Sequence, residues 1–147
     1  MNIAQTLQQA IAHHQAGEIQ EAERLYRFIL DKEPKHPDAN HNLGVLLKRG
    51  ERVNIALPFF KTALESNPKQ GQFWISYIEA LIQLEKLGIA RSVLKQGQSK
   101  GLKGDVVDYL KERLDSQQQR QAEPLQAQLD SVIALYSQGQ IQKALKA

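Results

Sequence analysis

Four histidines are the side chains best suited to chemistry, because a neutral imidazole binds metal ions and exchanges protons near neutral pH. His13 and His14 are adjacent, whereas His36 and His41 lie on either side of a proline and an expected helix start. Neither pair has the i, i+4 helical spacing of metal-site motifs, and no carboxylate accompanies them in such a pattern. We therefore predict surface or groove histidines and no metal site.

Motifs of catalysis and cofactor binding are absent from the sequence. It contains no Gly-x-Ser-x-Gly, no phosphate loop and no dinucleotide fingerprint. Zero cysteines exclude thiol catalysis and a Cys-ligated zinc site. The carboxylates lie on expected helix surfaces beside basic residues, as Glu23 does four residues before Arg27. We predict a non-enzyme without catalytic residues or cofactors.

The composition limits the class of partner. Hydrophobic residues make up 41% and charged residues 24%, which favours a folded domain. The net charge is +3, but Lys and Arg alternate with acidic residues rather than clustering, so nucleic acid is not an expected partner. No apolar run approaches the about 18 residues of a membrane span, and no secretory signal opens the chain. With no cysteine, a cytoplasmic location is the expectation.

The chain repeats itself at an interval of 34 residues. This shift aligns Pro34 with Pro68, each followed by lysine, and it aligns Ala22 with Ala56 and then Ala90. A fixed period of this size indicates stacked structural repeats. We predict three units, over residues 3–36, 37–70 and 71–104.

Each unit carries two runs of apolar residues at three and four spacing, which predicts two helices. In the stretch EPKHP, Pro34 lies just past the end of one helix and Pro37 opens the next. Asn2 is expected to cap the first helix. Pro58 falls inside a predicted helix, so we expect a local kink or a lost hydrogen bond there.

Small residues are predicted to face each other within each pair of helices. Ala10 is opposite Ala22, and Gly44 is opposite Ala56. Two helices approach closely where neither carries bulk. Glycines separate the paired helices, with Gly17 in the first unit and Gly50, one position early, in the second.

The C-terminal part does not fit the period as well. We expect one extra helix over about residues 105–122, and Pro124 is predicted to open a partial repeat over 125–147. Only about two helical turns follow Gly139, too few for a full partner helix. We expect either a piece of a longer protein or a short chain capped by self-association.

The sequence resembles the tetratricopeptide repeat family. The resemblance rests on the 34-residue period, the small pairs, Gly17, the aromatic positions Tyr26 and Phe60, and the closing prolines. It implies an all-α fold, a right-handed superhelix of antiparallel helix pairs. The first helix of each pair then lines a concave groove that holds a peptide or partner protein.

Helical geometry predicts which side chains face this groove. Long amides there suit an extended peptide, because they bond a backbone without requiring one sequence. The predicted groove residues are Gln8, Ile11, Gln15, Asp38, His41, Asn42, Val45, Arg49, Ser76, Glu79 and Gln83.

Three functions follow as hypotheses. The first is a non-catalytic interaction module. The second is the substrate-recruiting arm of a larger transferase, because the first unit is similar to the N-terminal repeats of bacterial O-GlcNAc-transferase-like glycosyltransferases and sulfotransferases. The third is a scaffold that self-associates through its C-terminal end.

Some family members grip a C-terminal carboxylate with a basic clamp. Only Asn42 matches that clamp, and its other positions hold Leu7, Ile11, Gln72 and Ser76, which disfavours chaperone tails as ligands.

Overall fold

The computed structural model describes the backbone of residues 2–146 and the side chains of residues 2–120 and 128–137. Over this range the chain is all-α, as predicted, and it divides into two compact units after Lys111. None of the described helices has both the length and the apolar character needed to cross a bilayer. The helices are α1 Ile3–Gln15, α2 Ile19–Lys32, α3 Pro37–Arg49, α4 Val53–Ser66, α5 Gly71–Gln83, α6 Leu87–Ser99 and α7 Asp105–Lys146.

The first unit is a stack of three helix pairs. The first helices of the pairs begin at Ile3, Pro37 and Gly71, which are 34 residues apart. Each first helix packs against the second helix of its own pair, and α3 and α5 also pack against the second helix of the pair before. In addition, α3 contacts both α1 and α5. This nearest-neighbour packing confirms the predicted helical repeat solenoid.

The predicted small residues lie at the helix crossings. Ala10, Ala22, Ala56 and Ala90 are all completely buried. Gly44 lies so close to α4 that a Cβ atom there would be 2.6 Å from Cε1 of Phe60. The missing side chain is therefore what lets the Phe60 ring enter the core between α3 and α4.

Two unlike side chains satisfy the same backbone group at successive repeat junctions. The Asn40 amide donates to the Pro34 carbonyl at 3.0 Å and to the His36 carbonyl at 2.8 Å. One repeat later, Trp74 donates its indole N–H to the Pro68 carbonyl at 2.8 Å. The proline carbonyl after the second helix thus gains a side-chain partner at both junctions.

The turn within each pair contains one residue with left-handed backbone. These residues are Gly17 (φ 81°), Glu51 (φ 61°) and Glu85 (φ 58°), again at the 34-residue interval. Gly50, which the sequence suggested as the turn glycine, instead ends α3 with φ −86°. The next amide bonds back across the turn in each case, as Arg52 N–H does to the Leu47 carbonyl at 2.9 Å. The repeat frame, and not the glycine, determines where the left-handed residue falls.

Helix ends and interruptions follow local chemistry. The Asn2 side chain accepts from the Gln5 amide at 2.7 Å, which confirms the predicted cap. Pro58 lies inside α4, which continues from Val53 to Ser66 although proline has no N–H to donate. The Pro58 carbonyl accepts a further bond from the Thr62 hydroxyl at 2.9 Å.

The segment after residue 104 differs from its prediction. Instead of an extra helix ending near 122 and a new pair opening at Pro124, α7 continues unbroken from Asp105 to Lys146. Strong helix formers, mainly Gln, Ala, Glu, Leu and Arg, dominate this stretch and favour continuation. Val132, which aligns with the buried Ala10, is 61% exposed. The predicted partial repeat also depended on Pro124 and Gly139, which lie outside the residues whose side chains and burial are described.

Candidate functional site

Two cavities lie side by side along the first helices of the repeats. The α1–α3 cavity has a volume of about 320 Å³, and the α3–α5 cavity has a volume of about 380 Å³. Val45 and Arg49 line both, and we call the two cavities together the groove. The α1–α3 cavity is lined by Ile11, His14, Gln15, Tyr26, Asn42, Val45 and Arg49. The α3–α5 cavity is lined by Val45, Lys48, Arg49, Phe60, Gln72, Ser76, Glu79 and Gln83.

The two linings are the same positions displaced by one repeat. Adding 34 to each residue of the α1–α3 cavity reproduces the lining of the α3–α5 cavity, and Gln72 is the one addition. Tyr26 thus corresponds to Phe60, and His14 corresponds to Lys48. The groove is therefore a repeated site whose chemistry changes from one unit to the next.

Eight of the eleven residues predicted for the groove line these cavities, and their role in binding stays a prediction. Gln8, Asp38 and His41 are not among the lining residues. The prediction missed His14, Tyr26 and their counterparts one repeat later. One signal was present for His14, because it stands one turn after Ile11 and so shares its helix face.

A half-buried histidine and a buried tyrosine pair in the lining of the α1–α3 cavity. Nδ1 of His14 lies 3.0 Å from the Tyr26 hydroxyl, and the two rings meet edge to face. Burial raises the pKa of Tyr26 to about 12. Burial, followed by the charge of Arg49, lowers the pKa of His14 below its usual value. At neutral pH the phenol is therefore protonated and the imidazole uncharged, and the imidazole tautomer sets which of the two donates.

A second histidine connects α3 with α5 beside the α3–α5 cavity. Nε2 of His41 lies 2.7 Å from the Ser76 hydroxyl, which also accepts from the Gln72 amide at 3.1 Å. The His41 ring lies 4.8 Å from the Phe73 ring, centroid to centroid. Burial lowers the pKa of His41, against smaller opposite effects of an Asn42 hydrogen bond and the Asp38 charge. Because Ser76 is only 5% exposed, it joins the helices more than it presents a ligand contact.

An ion pair makes the second link between these helices. Nζ of Lys48 lies 3.3 Å from Oε2 of Glu79, and both side chains are about one third exposed. A partly exposed pair of this kind contributes at most about 1 kcal/mol. Arg49, by contrast, has no ion-pair partner in the part of the chain whose side chains are described. Its charge is available to a ligand at the junction of the two cavities.

The described residues form no cluster that could bind a metal ion. There, no three side chains of His, Asp or Glu converge in the way that metal ligands do. The groove instead offers amide donors and acceptors, the partly exposed side chain of Val45 and the guanidinium of Arg49. These groups bind by hydrogen bonding, ion pairing and apolar contact.

Comparison with known proteins gives a structural likeness without a close sequence relative. No protein-family model and no curated protein sequence matches the chain. Many solved structures align with it, and two of those described below carry the tetratricopeptide repeat in their names. The chain has the fold of the tetratricopeptide repeat proteins.

The three structures share little sequence with the chain. A tetratricopeptide repeat protein from Parabacteroides merdae aligns at TM-score 0.74 and 19% identity, over 81% of this chain and 46% of that one. The TPR2B domain of yeast Sti1 in complex with pHsp70 aligns at TM-score 0.68 and 15% identity, over 78% and 97%. The Yersinia enterocolitica chaperone SycD with a YopD peptide aligns at TM-score 0.63 and 18% identity, over 77% and 86%. At such identities the likeness concerns the fold alone.

Proposed function

We propose that the groove binds an extended peptide segment of a partner protein, and that the chain acts as a non-catalytic interaction module. The observation that carries this proposal is the recurrence of one cavity after one repeat. Packed helices lie about 8–10 Å apart, and an extended peptide in the polyproline II conformation advances about 3.1 Å per residue and returns to the same face every three residues. Successive cavities therefore suit side chains three residues apart on the same peptide.

The chemistry of the lining supports a specific kind of peptide. Gln15, Asn42 and Gln72 offer amide groups that bond a peptide backbone regardless of sequence. Arg49, between the two cavities, favours a carboxylate, because its planar guanidinium bonds both oxygens of that group. Val45, which lines both cavities and is partly exposed, adds an apolar surface. We therefore propose an extended ligand that carries an acidic side chain followed, three residues away, by an apolar one.

Solved proteins of this fold support a peptide as the ligand class. The SycD structure contains a peptide of the translocator YopD, and a further aligned structure contains the HSP90 peptide SRMEEVD. The groove nevertheless lacks the basic clamp expected for chaperone tails, since Leu7, Ile11, Gln72 and Ser76 occupy those positions. We propose an internal peptide segment as the ligand, because the described groove offers Arg49 but no such clamp for a terminal carboxylate.

The test is an array of short random peptides probed with the purified protein, followed by fluorescence anisotropy on the peptides selected. Asn42→Ala with Arg49→Ala should weaken binding at least about tenfold. Asn54→Ala with Lys95→Ala removes an exposed amide and a cation from second helices and should change it less than twofold. Equal binding by the groove variant and the wild type would contradict the proposal.

Self-association is a second candidate, favoured by the surface of α7. Leu129, Val132, Ile133 and Tyr136 follow one another at three and four spacing and are each 52–66% exposed. An apolar stripe of this kind is typical of a helix that packs against another helix. We propose a second copy of the chain as its partner, because identical stripes match in length and spacing.

Light scattering across a concentration series tests this second candidate. Wild type should shift towards a dimer as concentration rises, and Ile133→Glu should stay monomeric. Ser131→Glu, which adds the same charge outside the stripe, should behave as wild type. A wild-type monomer at every concentration would rule self-association out.

Two further expectations rest on the sequence alone. The transferase-arm hypothesis depends on the resemblance of the first unit, and it predicts that the parent gene encodes a transferase domain after residue 147. A stop codon within one helix would contradict it. A cytoplasmic location likewise stays a proposal drawn from the lack of cysteine.

A further inference from the structure

A larger cavity lies away from the groove, where the third helix pair meets the loop before α7. Its volume is about 550 Å³, and it is lined by Trp74 and three lysines, Lys69, Lys100 and Lys103. No acidic residue belongs to its lining. None of the three lysines has an ion-pair partner among the described side chains. The cavity therefore collects positive charge that the protein itself does not neutralise.

A cavity of about 460 Å³ also lies at the preceding repeat junction, beside Pro34 and Lys35. The third unit departs from the repeat pattern and gives the later cavity a different lining. Trp74 stands where the second unit has Asn40, and Gly97 stands where it has Ala63. A Cβ atom at Gly97 would lie 3.1 Å from the Trp74 ring and 2.8 Å from Leu102. The indole thus needs this glycine, and it forms a rigid wall that is fixed by its hydrogen bond to Pro68.

The third unit also carries a positive charge at a position that is neutral in the second unit. Lys100 takes the place of Ser66, and its ammonium lies 5.7 Å from the centre of the Trp74 ring. Lys103 follows three residues later, after Gly101, whose φ of 100° turns the chain back towards the cavity. An adjoining cavity shares Trp74 and Lys100 and includes a carboxylate, Glu65.

That carboxylate does not neutralise the three lysines. Glu65 pairs with Lys61 on its own helix at 4.0 Å. Like charges held around one cavity repel each other, so an anion between them lowers their energy.

We propose that this cavity binds a small soluble oligophosphate, the phosphate chain of a nucleotide or a related metabolite. Lysine ammonium groups bind phosphate as point charges and do not require the planar geometry that arginine imposes. Three cations around about 550 Å³ match several phosphate groups better than one, since cavities of this size hold whole small molecules. The site is separate from the groove, and the proposal does not depend on peptide binding.

The chain contains a built-in probe for this site. Trp74 is its only tryptophan and lines the cavity, so its fluorescence reports an occupant directly. The experiment titrates the full chain with inorganic tripolyphosphate at constant ionic strength, with sodium sulfate in a parallel titration. Isothermal titration calorimetry repeats the measurement, because removal of Lys100 alters the baseline emission of the neighbouring indole.

We expect saturable binding of tripolyphosphate, at least about tenfold tighter than that of sulfate. Lys100→Gln with Lys103→Gln should weaken it at least about tenfold, and Lys95→Gln, a change of the same kind outside the lining, less than twofold. Circular dichroism checks that each variant keeps its helices. No saturable signal, equal affinity for sulfate, or unchanged affinity in the double variant would each overturn the proposal.

Discussion

The close approach of α3 and α4 leads to a prediction whose sign runs against helix propensity. In an isolated helix, Gly44→Ala stabilises by about 0.8–1 kcal/mol, because alanine loses less backbone entropy than glycine. In this chain the new methyl group would lie 2.6–3.0 Å from three atoms of the Phe60 ring. The change in the free energy of unfolding is therefore the sum of a stabilising effect of backbone entropy and a destabilising effect of overpacking.

The structure indicates which term is larger. Phe60 is 1% exposed, and its ring lies 5.7 Å from the His41 ring, so it cannot swing towards solvent. Overpacking of a buried site costs about 1–3 kcal/mol, and a contact as short as 2.6 Å belongs in the upper part of that range. After subtraction of the propensity gain, Gly44→Ala should lower the free energy of unfolding by about 1–2 kcal/mol.

The measurement is urea unfolding, followed by the far-ultraviolet circular dichroism of the helices. Gly88→Ala is the matched control, because no atom lies within 4 Å of a Cβ built at that position in the first turn of α6. It should raise the free energy of unfolding by about 0.5 kcal/mol. If Gly44→Ala were as stable as Gly88→Ala, the tight crossing of α3 and α4 would be wrong.

Three further predictions concern turns, junctions and pH. Glu51→Gly and Glu85→Gly should each raise the free energy of unfolding by about 0.5–1 kcal/mol in urea titrations, since both residues have left-handed backbone; a loss of stability would contradict this. Asn40→Ala should lower it by about 1–3 kcal/mol, because two side-chain hydrogen bonds are lost, and an unchanged urea midpoint would contradict that bond network. His14 and His41 have lowered pKa values, so their contribution is complete above about pH 6.5 and is lost as the pH falls towards their folded pKa values. His14→Gln with His41→Gln should flatten the rise in stability between about pH 5 and 7, and an unchanged slope would show that these rings do not carry it.

The sequence predicted the repeat frame well, because that frame depends on side-chain size and on proline. Ala22 and Ala56 are buried as small residues at helix crossings must be, and Pro37 opens α3 as a first-turn proline can. Apolar spacing and chain breakers are local signals, so they are readable without knowledge of distant contacts. The groove face followed from the same periodicity, which brought Asn42 and Arg49 to the cavities.

Other features depended on contacts across the repeats and were not readable in this way. Helical geometry predicted His41 and Ser76 on the groove face, but their mutual hydrogen bond depends on the distance between α3 and α5. The left-handed position of Glu51 shows that a turn defined by its frame accepts a residue that local propensity disfavours. The continuation of α7 past Pro124 similarly shows a run of helix formers prevailing over one chain breaker.

Because Trp74 packs against Gly97, the two residues of the third repeat can be transferred to another repeat only together. The middle repeat can be duplicated to lengthen the protein, because its counterparts of this pair, Asn40 and Ala63, are compatible side chains of ordinary size. Transplanting the indole alone would place it against the methyl group of an alanine, at the position where a Cβ atom already crowds the ring. The large side chain of Trp74 and the absence of one at Gly97 therefore have to be inherited together.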